Sequence, residues 1–222
     1  MYESLEHGRE VSGVGFLVVK VKICGITNTR DAQKAVELGA DFIGFNFYEK
    51  SLRKISPAKA KEISDSLLKR VPTVGIFVNE NPAQINIISK YCGLDFVQLH
   101  GNETPDFCEQ VHFPIIKAFR VEDEGTFKQI KLFQTEYILL DAFSPGKVGG
   151  TGKQIKKEFT PLIKELTQKR KVFMSGGLNP ENVYKIVQEI DPYAVDVASG
   201  VEIKPGLKSY EKMKDFIEEA KK

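Results

Sequence analysis

Apolar residues along this chain fall into eight short runs, each closing on a polar residue or a glycine and each followed by a stretch with helical spacing. The runs lie near residues 18–23, 42–47, 73–78, 95–99, 114–119, 136–141, 171–175 and 194–198. Most are β-branched or aromatic and almost unbroken in their apolarity, the pattern of parallel strands buried on both faces. Helices are predicted between them over 29–39, 57–69, 82–91, 104–111, 124–132, 154–168, 180–190 and 208–221. Pro57, Pro82, Pro105 and Pro180 stand at helix starts, where a missing N–H costs little. Ser56, Asn81, Thr104 and Asn179 precede them as N-caps, while Gly39 and Gly93 sit at helix ends. Strict strand–helix alternation with short links predicts a parallel sheet with right-handed crossovers. Eight repeats favour an α/β fold closed into a single (β/α)8 TIM barrel over an open sheet.

Composition narrows the reading without changing it. The 222 residues carry 32 basic and 30 acidic side chains, a net charge of +2, which argues against a dedicated nucleic-acid surface. Three cysteines in unrelated contexts fit a reducing, cytoplasmic setting. No apolar run approaches the roughly 18 residues of a membrane span. Residues 11–19 are fairly apolar, but Met1 to Glu10 holds three glutamates and one arginine, the wrong charge for a secretory signal. Residues 1–16 are therefore read as an N-terminal leader, poorly ordered over its first ten, and residues 17–222 as one barrel domain.

In a barrel of this kind the strand C-terminal ends converge on one face, so side chains distant in sequence share a site there. Cys24 ends the first strand, and Lys22 lies two residues back on the same side of it. Cys24 has two readings, a small buried hydrophobe or a catalytic thiol, and its strand-end position with an ammonium on the same face and a glycine after it leaves the two evenly matched. Cys92 and Cys108, in or near helices, are read as buried hydrophobes. Asp141 ends an otherwise apolar sixth strand, where an unpartnered carboxylate is costly; it is either a loop cap or a proton donor paired with Cys24. Ser175, Gly176 and Gly177 end the seventh strand, and Ser199 and Gly200 the eighth, the two loops that commonly bind phosphate in barrel enzymes. The run Gly146 to Gln154 fails the P-loop spacing and reads as a flap carrying Lys153. Arg53, in the loop after the second strand, is placed to clamp a carboxylate with its fork of donors. His100 stands on the same rim, whereas His7 and His112 do not, and three histidines so dispersed make no metal site. Buried Lys22 needs a partner, and Asp196 on the eighth strand, adjacent to the first in a closed barrel, is the expected one.

These segments, taken in order, resemble the phosphoribosylanthranilate isomerase family over residues 20–221. The likeness runs through Val21 to Thr27, Gly44 to Tyr48, Lys50 to Arg53 and Val97 to Gly101. It continues through Leu139 to Ala142, Gly149 to Lys153, Ser175 to Leu178 and Val195 to Glu202. The resemblance implies a tryptophan-pathway enzyme in which Cys24 is the general base, Asp141 the general acid and Arg53 the partner of the anthranilate carboxylate. It implies no cofactor, no metal, no nucleic-acid or membrane partner, a phosphosugar substrate, and a monomer rather than a homodimer. The thiolate role requires the site to lower the thiol's pKa from its usual value near 8.5. Glu49 departs from the proline common in the family, and Asn46 from an apolar residue; neither is catalytic. A histidine-pathway isomerase would carry aspartate where Cys24 stands, and other phosphosugar barrels usually carry Lys, Glu or paired Asp at the strand ends. A non-catalytic phosphate-binding barrel would need neither Cys24 nor Asp141.

Overall fold

A computed structural model describes residues 18–67, 70–142 and 155–222. The leader and the glycine-rich flap with Lys153 lie outside the described residues. Eight parallel strands close into a barrel in chain order: β1 (Lys20–Cys24), β2 (Phe42–Asn46), β3 (Thr73–Phe77), β4 (Phe96–Leu99), β5 (Ile115–Val121), β6 (Tyr137–Ala142), β7 (Lys171–Met174) and β8 (Ala194–Val197). Ring closure is the β1–β8 pairing, in which Lys22 is in register with Asp196. Helices α1 (Thr29–Glu37), α2 (Pro57–Asp65), α3 (Pro82–Cys92), α4 (Pro105–Cys108), α5 (Glu124–Ile130), α6 (Thr160–Thr167), α7 (Val183–Ile190) and α8 (Tyr210–Ala220) link and follow the strands.

Alternation along each strand splits the apolar residues into two layers. Val21, Ile23, Ile43, Phe45, Val97, Leu99, Ile138 and Leu140 face the helices in one continuous core. Phe42, Val74, Ile116, Leu139 and Phe173 fill the barrel interior near the strand N-terminal ends. There Phe42 packs edge-on against both Phe96 and Phe173, a favoured aromatic geometry.

The caps at Ser56, Asn81 and Thr104 are present: each side-chain oxygen accepts a backbone N–H from the first turn. Gly93 ends α3 in the left-handed conformation. Four helices depart from expectation. Asn179 caps only a single turn, accepting from Glu181 N, so α7 starts at Val183 and not beside Pro180. The helix expected over 104–111 stops at Cys108, because i→i+3 bonds from Gln110 and Val111 tighten it into turns ahead of Pro114. The one expected from 154 is a 3₁₀ turn, Lys157–Phe159, followed by α6 with Pro161 in its first turn. The last helix begins at Tyr210, not 208, because a hairpin of β9 (Glu202–Lys204) and β10 (Leu207–Lys208) precedes it. Pro205-Gly206 makes its turn, with Gly206 at φ +80°, a turn-forming dipeptide overlooked in the sequence.

Candidate active site

The C-terminal mouth of the barrel gathers the polar residues singled out above. Cys24 closes β1 and Asp141 lies near the end of β6, three strands away around the ring of eight, so they face one another across the opening. Asp141 is buried, with Oδ1 accepting its neighbour's Ala142 N at 2.8 Å. Its Oδ2 lies 3.4 Å from His100 Nε2. Gly176 sits at φ +91°, and a Cβ there would come within 2.6 Å of Ala142 N and 3.0 Å of Asp141 Oδ1. Glycine is therefore required for the β7 loop to pass beside the carboxyl.

Lys22 is fully buried beneath Cys24 and donates to Asp196 Oδ1 and Gln98 Oε1, each at 2.8 Å. The expected Lys22–Asp196 pair is thus present, with Gln98 as a third member the sequence reading did not include. Burial acts to lower the Lys22 pKa, but Asp196 and the nearby thiol outweigh it and hold the ammonium above its ordinary value. The Cys24 thiol moves the other way from expectation. Burial pushes its pKa up, and the opposing ammoniums of Lys22 and Lys208 do not overcome this, since Asp196 acts with burial.

Arg53 reaches the rim from the β2 loop and crosses directly over Gly25, where a Cβ would meet its Cδ at 2.5 Å. Its Nε and Nη2 form a bidentate contact with Glu202 at 2.8 and 2.6 Å. Lys208 Nζ donates to the same carboxylate at 3.0 Å, to Cys24 O at 2.6 Å and to Ala198 O at 3.1 Å. Burial would raise the Glu202 pKa, yet Arg53 and Lys208 hold it below the usual carboxylate range. Glu202 and Lys208 were missed as functional candidates. The available signal was two buried charges flanking a Pro-Gly turn, which cannot stay unpaired.

The phosphate candidates also meet here. A Cβ on Gly200 would lie 1.9 Å from Leu178 O, so the β8 loop packs tightly on the β7 loop. Ser175 gives its N–H to Leu140 O and its hydroxyl to Asp196 Oδ2, leaving Gly176 and Gly177 to present backbone donors from that loop. Arg120, opposite Asp141 in register on β5, shares this inner face. A cleft of about 330 Å³ opens at the other end of the barrel, between Pro105, Phe113, Phe133 and Tyr137. It lies far from these groups and takes no part in the site. Among the described residues no His, Cys, Asp or Glu cluster could hold a metal ion.

The profile of the family described as N-(5'phosphoribosyl)anthranilate (PRA) isomerase matches residues 21–219. This chain belongs to the phosphoribosylanthranilate isomerase family. It is 45% identical over 204 residues to the N-(5'-phosphoribosyl)anthranilate isomerase of Trichlorobacter lovleyi, covering 92% of this chain and 98% of that one. Among solved structures it resembles monomers made from the dimeric Thermotoga maritima phosphoribosylanthranilate isomerase, at 42% identity and a TM-score of 0.81, covering 91% of this chain and 98% of that one. A family structure in complex with reduced 1-(o-carboxyphenylamino)-1-deoxyribulose 5-phosphate is likewise 42% identical, with a TM-score of 0.80 over the same shares.

Proposed function

We propose that Cys24 is the general base and Asp141 the general acid in the isomerisation of N-(5-phosphoribosyl)anthranilate, the step of tryptophan biosynthesis this enzyme performs. One observation carries the assignment: a thiol and a carboxyl face each other across the open mouth of the barrel. Asp141, as the carboxylic acid, protonates the furanose ring oxygen; the C1–O bond opens and a Schiff base forms. Cys24, as the thiolate, removes the C2 proton, giving an enolamine that tautomerises to the 1-amino-1-deoxyribulose product. The buried thiol must ionise once substrate is bound, and the cationic Schiff base beside it supplies the charge that favours this. No cofactor enters, because the Schiff-base nitrogen is the electron sink.

Arg53 takes the anthranilate carboxylate in this reading. Glu202 occupies the Nε–Nη2 edge of the guanidinium, and the Nη1–Nη2 edge can take a second carboxylate in the same bidentate manner. The Ser175–Gly177 and Ser199–Gly200 loops take the phosphate, supported by the tight packing of one on the other and by the 3₁₀ turn Ser199–Val201 after β8. A monomer remains the expected state; light scattering at twice the chain mass would replace it with a dimer like that of the Thermotoga relative. A cytoplasmic location is proposed on the free cysteines, and no described helix is long and apolar enough to cross a membrane.

Loss of anthranilate fluorescence follows the rearrangement directly. Cys24→Ser and Asp141→Asn are each expected to lower kcat by at least about 10²-fold with KM little changed. Near-full turnover in either variant would remove that residue from its role.

A further inference from the structure

Three hydrogen bonds link Asp196, Lys22, Gln98 and His100 beneath the substrate mouth, and their polarity is decided by chemistry at one end. Asp196 Oδ1 accepts from Lys22 Nζ, which also donates to Gln98 Oε1 at 2.8 Å. Gln98 Nε2 lies 2.9 Å from His100 Nδ1, and His100 Nε2 lies 3.4 Å from Asp141 Oδ2. Gln98 is 1% exposed, so water does not compete for its amide.

An ammonium has three donors and no acceptor, so the Gln98 amide must turn its oxygen to Lys22. Its nitrogen then faces His100, and an amide nitrogen only donates. Nδ1 must therefore accept, which leaves the one proton of the neutral ring on Nε2. An imidazolium would set N–H against N–H at Gln98. The remaining proton is on the nitrogen that lies 3.4 Å from Asp141 Oδ2, and Nε2 has no hydrogen-bond partner among the described residues.

We infer that Gln98 is a positioning residue that holds His100 as the neutral Nε2–H tautomer and so bars the ring from taking the proton of Asp141. In the opposite tautomer Nε2 would present a lone pair to Asp141. The carboxylic acid would then pass its proton to the ring, forming a carboxylate–imidazolium pair and disarming the acid. With Nε2 already protonated, the ring cannot take that proton. Once the proton has left, the same N–H stabilises the carboxylate that remains. This inference rests on Asp141 as the general acid.

The test is the 15N spectrum of histidine-labelled full-length protein, with the His100 signals identified by their loss in His100→Asn. Wild type is expected to show an unprotonated-type Nδ1 and a protonated-type Nε2. Gln98→Glu offers carboxylate oxygens to both Lys22 and the ring, so Nδ1 should acquire the proton and kcat should fall on the order of 10²-fold with little change in KM. In Gln98→Met the ring loses its bias and both tautomers should appear. A wild-type ring protonated at Nδ1, or an Nε2–H ring unchanged in folded Gln98→Glu or Gln98→Met, would overturn the proposal. The spectrum does not depend on turnover: full activity in Asp141→Asn beside an Nε2–H wild-type ring defeats the acid assignment and leaves the tautomer lock standing.

Discussion

At the scale of single residues, Cys24 is governed by opposed fields of comparable reach. Burial and Asp196 favour the thiol, whereas Lys22 and Lys208 favour the thiolate. The two members of the pair beneath it should therefore be separable by sign. Lys22→Met removes a nearby cation and should slow alkylation of Cys24 at a fixed pH near 8, because the thiol's pKa rises further. Asp196→Asn removes an anion, leaves the ammonium in place, and should speed it. A pH series of iodoacetamide inactivation reads both, and identical titrations in two folded variants would reduce Lys22 and Asp196 to structural roles. The pair itself was readable in the sequence, since a buried ammonium on β1 needs an anion on an adjacent strand. The sign of the thiol shift was not, because it depends on how completely the surrounding atoms exclude water.

At the scale of elements, the β9–β10 hairpin matters more than its five strand residues suggest. It brings Glu202 under Arg53 and Lys208 under the carbonyls of Cys24 and Ala198, tying the ends of β1 and β8 to the β2 loop. Lys208 is fully buried, and burial lowers its pKa. Lys208→Met leaves Glu202 with half its partners, and removing one member of a buried pair typically costs about 3–5 kcal/mol. Urea unfolding at neutral pH should detect a loss in that range. Arg53→Met should act differently, raising KM by at least about tenfold, or roughly 1.4 kcal/mol, through the lost carboxylate contact. An analogue lacking the carboxylate should bind wild type and Arg53→Met equally; if it instead loses affinity in the variant, Arg53 serves another group. Reading residue 208 into the last helix concealed this arrangement, although Pro205-Gly206 marks a turn in front of it.

At the scale of the whole molecule, ring closure depends on charges placed where β1, β8 and the final hairpin meet. Glu202 has its folded pKa below the unfolded value of about 4.3, so its contribution to stability is present above that value. It is lost as pH falls through the depressed folded value. Wild type should accordingly lose more stability than Glu202→Gln between about pH 6 and about pH 3, although the variant is less stable at neutral pH. Parallel urea curves across that range check it, and equal pH slopes in the two proteins would show that the charge contributes nothing to acid sensitivity.

The order of elements, the closed barrel and the rim as the seat of chemistry were determined by the sequence alone. Short, almost unbroken apolar runs and proline-started helices leave few other topologies once eight units follow one another. Cys24, Asp141, Arg53 and His100 were legible for the same reason: each is a polar side chain at or just beyond the end of an apolar run, in an interval that only a barrel mouth makes sense of. Gln98 was not legible. It lies inside a strand as an ordinary polar residue, and its role depends on Lys22 Nζ from β1 and His100 Nδ1 both standing within 3 Å of its amide. The partners of Ser175 in this fold, Leu140 O for its N–H and Asp196 Oδ2 for its hydroxyl, were not legible either. Local patterns specify which backbone forms each element. Which partner satisfies each buried donor and acceptor is decided only when strands distant in sequence close the ring.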